Sequence, residues 1–182
     1  MKKIISLSIF TVLLFVFSSC SSNKIYQEPT QTKALLESGT FTFVAERANP
    51  SNMDVINVLN TTFPSGGGAS RVLNLDSGYT MEVSPEKVSV RLPYFGRMYT
   101  ASMDPKGSSY DFTSEKFRID TSKSNNKKSV WIFTFGDVSR VQQLFLEVFP
   151  GGKAFVSINS NDRQAISYDG YVTETKNPTS GK

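Results

Sequence analysis

The chain has 182 residues, a net charge of +4, no histidine and one cysteine. The missing histidine excludes Ser-His-Asp and Cys-His nucleophiles and the commonest metal ligand. The lone cysteine excludes internal disulfides and CxxC chemistry, and 38% apolar content excludes a wholly disordered chain.

Met1-Lys2-Lys3 is a short basic segment, and Ile4 to Phe17 is an apolar run of 14 residues. That run falls short of the roughly 20 residues that a spanning helix needs. Small Ser18-Ser19 and then Cys20 complete the anatomy of a cleaved export signal over residues 1–19. The segment resembles a bacterial lipobox, with Phe17 in place of the usual leucine. Cys20 is therefore the expected lipidation site, acylated (palmitate-type) after cleavage. Acylation also removes the hazard of a free thiol in an oxidising compartment. Several acyl chains anchor stably, because each buried CH₂ contributes about 0.8 kcal/mol. Ser21, rather than Asp, after the cysteine suits outer-membrane sorting, with the domain on the periplasmic or surface face. Loss of Lys2 and Lys3 lowers the net charge from +4 to +2, too little to imply a nucleic-acid partner.

Residues 20–32 are polar, include Pro29, and read as a tether. Ala34 to Glu37 suggests one or two helical turns, ended by Ser38-Gly39. Thr40 to Ala45 alternates with period two, as a strand does. Asn49 to Ser70 is ambiguous. Met53, Ile56 and Leu59 have helical spacing with Ser51 as a cap, yet Val55 to Asn60 also reads as a strand. The balance leans slightly toward a strand, followed by a flexible loop over Phe63 to Gly68.

From Arg71 onward the pattern is β. Leu73 with Leu75, then Tyr79, Met81 and Val83, then Val88, Val90 and Leu92 alternate with polar residues. Ser84-Pro85-Glu86-Lys87 is a hairpin turn, and its SxxK spacing is chance in that setting. Asp104 to Gly107 is a second turn. Phe117 and Ile119 mark another strand, and Ser122 to Lys128 a polar loop. Val130 to Phe135 and Leu144 to Phe149 are apolar on both faces, which predicts burial on two sides and places Trp131 in the core. Ala154 to Ile158 and Gln164 to Val172 follow, and residues 174–182 read as a frayed tail. About nine or ten strands at this rhythm predict one all-β domain over residues 33–173. The expected architecture is an antiparallel β-sandwich or barrel with at most one short helix.

Three segments stand out: Phe43 to Pro50, Leu92-Pro93-Tyr94-Phe95-Gly96-Arg97-Met98-Tyr99, and Arg163-Gln164-Ala165-Ile166-Ser167-Tyr168-Asp169-Gly170-Tyr171. In this order behind a lipobox they resemble domain-of-unknown-function family 4251, small exported lipoproteins of Gram-negative bacteria. The resemblance spans about Phe41 to Val172, with Ser51 to Ala69 longer than the family's commonest form. It implies an exported, mostly β domain and no assigned reaction.

Each motif carries two readings. Pro93 and Gly96 fit a kinked strand with packed aromatic rings, or a cleft lined by Tyr94, Arg97 and Tyr99. Arg163, beside Gln164 and Tyr168, can hold a carboxylate or phosphate, or bond Asp162 and loop carbonyls. Tyr94, Tyr99, Tyr110, Tyr168, Tyr171 and Trp131 can stack on sugars if one surface gathers them. No metal or cofactor is expected apart from the Cys20 lipid, since Asn159, Asn161 and Asp162 lack the remaining ligands of a calcium loop.

The expected function is a lipid-anchored envelope module that binds a protein, peptide or glycan or serves as a scaffold, without catalysis. Strand addition at an open sheet edge is one mode. The rival is a carboxylate-pair hydrolase of envelope polymers or glycans, using pairs such as Asp76 with Glu82 or Asp104 with Asp111 at about 5 to 9 Å. A third reading is a small-ligand carrier with an apolar cavity of about 300 Å³ or more.

Overall fold

A computed structural model describes residues 26–64, 67–99, 109–123 and 128–175. The expected export signal, Cys20 and the Asp104–Gly107 turn lie outside those residues. So do most of the Ser122–Lys128 loop and the end of the tail.

The order is α1 (Pro29–Glu37), β1 (Phe41–Pro50), α2 (Met53–Thr62), α3 (Gly68–Leu73), β2 (Thr80–Val83), β3 (Val88–Pro93), β4 (Ser109–Ser114), β5 (Phe117–Lys123), β6 (Ser129–Phe135), β7 (Val141–Val148), β8 (Lys153–Ser160) and β9 (Ile166–Thr173). The nine strands form one antiparallel, nearly closed barrel-like sheet in the order β4-β3-β2-β1-β9-β8-β7-β6-β5. Eight antiparallel pairings separate β4 from β5, so these two strands run in the same direction. Only Glu115 and Lys116 join them. A parallel pair needs a crossover of a dozen or more residues, so the ring stays open there.

Polar ties span this seam. Ser114, fully buried at the end of β4, donates to the Asp137 carboxylate. The same carboxylate accepts the amides of Glu115 and Lys116 at 3.0 and 3.2 Å. Phe112 of β4 meets Phe135 of β6 edge-on at 5.4 Å.

Alternation drives the core. Phe41, Phe43 and Ala45 of β1, Met81 and Val83 of β2, and Val88, Val90 and Leu92 of β3 all point inward. Each fully buried Phe, Leu or Met stabilises the fold by about 1.5–3 kcal/mol. The inward set of β1 then skips from Ala45 to Ala48, because a bulge inserts Glu46. Turned out of the ladder, Glu46 accepts Leu75 N–H at 2.8 Å through its carbonyl and the Tyr26 hydroxyl through its carboxylate. Opposite the bulge, Gly170 lies so close to β1 that a Cβ would sit 2.0 Å from the Val44 carbonyl oxygen.

Residues 51–73 depart from the expected strand and loop. They form α2 and α3, and Leu73 closes a helix rather than alternating in a strand. Asn52, not Ser51, caps α2 by accepting Asp54 N–H at 2.8 Å. The Asn60 side chain accepts Ala69 N–H at 2.9 Å and ties the two helices together. Ile56 and Leu59 pack against the barrel, which decides the ambiguity in favour of the helical period.

The expected tether is also shortened. Pro29 opens α1, where a proline's missing N–H costs nothing, so residues 29–32 are helical. Thr32 and Leu35 of α1 are buried. Among the described residues three helices therefore stand where one was expected. Strand β7 buries its inner face and β6 does so at Phe133 and Phe135, whereas Val130, Ile132 and Phe145 remain half-buried on the outer face. Among the described residues no helix is long and apolar enough to cross a membrane.

Candidate functional site

The structure brings the two late motifs together beyond the C-terminal end of β1. The strand-like segment Arg97–Tyr99 runs antiparallel to Asp162–Gln164. Gln164 N–H donates to Arg97 O at 3.1 Å, and Tyr99 N–H donates to Asp162 O at 2.8 Å. Met98 and Arg163 face each other in this short bridge. Tyr94 folds back over Gly96, where a Cβ would sit 2.4 Å from the Tyr94 hydroxyl oxygen. That hydroxyl reaches the carbonyls of Arg97 at 2.9 Å and Gln164 at 3.2 Å.

Arg163 is buried, at 1% exposure, with its guanidinium carbon 5.0 Å from the ring centres of both Tyr94 and Tyr110. Its Nε and Nη2 donate to the two Asp162 carboxylate oxygens at 3.0 and 2.7 Å. Such a two-pronged, doubly stacked arrangement suits a planar guanidinium and not a lysine. Tyr110 shares a 2.9 Å hydrogen bond with Ser160, and Tyr168 donates to Pro93 O at 2.6 Å.

The electrostatics keep this cluster in one protonation state. Burial pushes Tyr110 up to about 12, moves Tyr94 upward, and moves Tyr168 well above the ordinary tyrosine range. The Arg163 hydrogen bond holds Asp162 below the ordinary carboxylate range. Burial alone would lower Arg163, but the hydrogen bonds and charge of Asp162 outweigh it and hold Arg163 higher. Every tyrosine hydroxyl here stays neutral near pH 7, and the Asp162 carboxylate is already committed to Arg163. The cluster is an aromatic and ion-paired plug that joins the two motifs.

The predicted surface therefore divides. Arg163 and Tyr168 lie in the interior, because stacking and hydrogen bonding satisfy them there. Tyr94 and Gln164 are half-buried as the joint between the motifs, and only Arg97 and Tyr99 stand exposed. The aromatic set does not share one surface. Tyr110 is in the core, and Tyr171 stacks on Tyr26 at 4.6 Å. Of the proposed acids, Asp76, Glu82 and Asp111 are exposed, Asp76 in a loop, Glu82 on β2 and Asp111 on β4, and Asp104 lies outside the described residues.

An open apolar cleft lies near the opposite end of β1. About 770 Å³ in volume, it runs between α1 and the strands β5, β6 and β7. Leu36 lines one wall, and Trp131, Val148, Phe149 and Pro150 line the other. Thr121, Ser122 and Ser129 add hydroxyl groups. Among the described residues the charged lining side chains are Lys33 and Glu37, which pair at 3.7 Å on successive turns of α1 and are mostly exposed. Trp131 meets Phe41 edge-on at 5.3 Å and stacks along β6 on Phe133. It is thus half-buried in a cleft wall, not sealed in the core. Sequence reasoning singled out Trp131 but not the cleft, since α1 and three strands contribute to it and no motif spans them.

The chain is thus a single nearly closed, nine-stranded antiparallel β domain with a plugged end and an apolar side cleft. Residues 23–172 match the family described as Domain of unknown function (DUF4251), and the protein belongs to that family. Among solved structures the chain is similar to a DUF4251 family protein from Bacteroides eggerthii DSM 20697. The two share 14% identity at a TM-score of 0.47, covering 80% of this chain and 87% of that one. A search of the curated proteins finds no match.

Proposed function

We propose that this protein is an envelope lipoprotein, anchored through lipid on Cys20, whose β domain binds a small or extended apolar ligand in the Trp131 cleft. The Met1–Cys20 segment supports the anchor, through its basic start, 14-residue apolar run and small residues before the cysteine. The cleft carries the binding reading. Its volume lies within the roughly 300–1,000 Å³ of ligand sites, and its lining is apolar with a few hydroxyl groups. In this reading the domain holds its ligand without chemical change, and the Tyr94–Arg163–Tyr110 plug keeps the barrel rigid.

Trp131 is the only tryptophan, so its emission reports the cleft directly. The test is a titration with an anilinonaphthalene sulfonate probe, read by energy transfer from Trp131. Saturable one-to-one transfer is expected, weakened at least tenfold by Leu36→Glu. Ser129→Phe, which fills the cleft, gives a second variant. Equal probe binding in both variants at unchanged Tm would refute the assignment.

A further inference from the structure

We infer that the ligand of this cleft is an acyl chain of a membrane lipid, drawn from the bilayer in which the protein is anchored. This rests on the proposed anchor and cleft reading and adds the ligand's chemistry. Three observations carry it.

The first is the lining. Leu36, Trp131, Val148, Phe149 and Pro150 offer carbon surface, and Lys33 and Glu37 already pair with each other at the mouth. An anionic or glycan ligand would call for unpaired charged groups or a dense set of hydrogen-bonding groups. A methylene chain needs neither, and hydroxyl groups of Thr121, Ser122 and Ser129 suit the ester end of a lipid.

The second is position. Tyr26 and Gln27 donate their backbone N–H groups to Gly151 O at 3.0 and 3.3 Å, and Tyr26 stacks on Tyr171. The chain is thereby pinned to the β7–β8 turn, whose Pro150 lines the cleft. Six residue steps separate Cys20 from Tyr26. Fully extended they span at most about 20 Å. A lipid on Cys20 therefore keeps Tyr26, and with it the Pro150 end of the cleft, close to the bilayer surface.

The third is shape. The cleft lies between a helix and a sheet, and its volume of about 770 Å³ admits a single chain. Partial exposure of Trp131 gives an incoming chain an aromatic face to lie on.

The experiment uses the acylated protein reconstituted in phosphatidylcholine vesicles whose chains carry bromine at mid-chain. Bromine quenches tryptophan at contact. The expected result is loss of most Trp131 emission relative to unbrominated vesicles, with emission restored by Leu36→Glu and by Ser129→Phe at unchanged Tm. Equal quenching in wild type and both variants would mean surface contact with the bilayer and would overturn the inference. Unquenched Trp131 that acrylamide reaches, with probe binding retained, would also overturn it. That outcome leaves the binding reading standing and shifts the ligand to an extended peptide along β5. Unquenched Trp131 shielded from acrylamide would mean that the protein's own Cys20 acyl chain fills the cleft, again against the inference. Loss of both quenching and probe binding, with acrylamide access, would refute the binding reading as well.

Discussion

Breaking the Asp162–Arg163 pair tests the plug that joins the two family motifs. Arg163 is 1% exposed, makes two hydrogen bonds to Asp162 at 3.0 and 2.7 Å, and lies between two tyrosine rings at 5.0 Å each. Removing one partner of a buried ion pair costs about 3–5 kcal/mol when the site is sealed. The Asp162 side chain is 24% exposed, so water partly replaces it, and we predict about 2–3 kcal/mol for Asp162→Asn. Arg163→Met removes the charge with its partner's demand and keeps the stem. It loses two ring contacts worth about 0.5–2 kcal/mol each and frees Asp162 to meet water. The two single changes should therefore fall well short of adding in the double variant, with a coupling energy of about 1–3 kcal/mol. Urea unfolding at pH 7, followed by circular dichroism, measures all four forms. Additive effects within about 0.5 kcal/mol would refute the pairing as the source of stability. The pH dependence follows the same geometry. Because Asp162 is held below its ordinary value when folded, the pair's contribution is complete above the unfolded carboxylate pKa of about 4. It declines as pH falls from there through the lower folded value, and Asp162→Asn should flatten that decline.

Three further outcomes follow from local geometry. Gly170→Ala places a methyl 2.0 Å from Val44 O and 2.9 Å from the Phe43 ring, so β1 and β9 must part; we expect a loss of at least about 1–3 kcal/mol in urea unfolding. Asp137→Asn weakens the tie across the open seam, so amide exchange at Glu115 and Lys116 should accelerate selectively, as hydrogen-exchange mass spectrometry can read. Asn52→Ala removes the α2 cap and should cost about 0.5–2 kcal/mol, seen as a lower Tm with barrel signals unchanged below it.

Much of the sheet was legible because it is made of alternating residues. Met81 and Val83, then Val88, Val90 and Leu92 point inward as the period requires. The Ser84–Lys87 turn closes as expected, with Ser84 N–H donating to Lys87 O at 3.0 Å. Residues 51–73 were illegible for a physical reason. Val55 to Asn60 satisfies both periods, and the deciding contacts of Asn52, Asn60, Ile56 and Leu59 are tertiary or capping contacts. At the plug, sequence order brought out the right motifs, but not that Arg163 and Tyr168 turn inward to satisfy each other's neighbours. Burial of an arginine depends on two rings from β3–β4 that sequence proximity does not reveal. The cleft was hidden for a similar reason. Leu36, Trp131 and Val148 come from three elements, and each alone reads as ordinary core.

The Trp131 cleft is proposed above as the seat of a lipid acyl chain. Native mass spectrometry of the acylated protein released from its own envelope tests it most directly. The claim predicts one non-covalent lipid adduct above the covalently lipidated mass, absent from folded Leu36→Glu. Wild type carrying only its covalent lipid, or an adduct retained equally by Leu36→Glu, would contradict it.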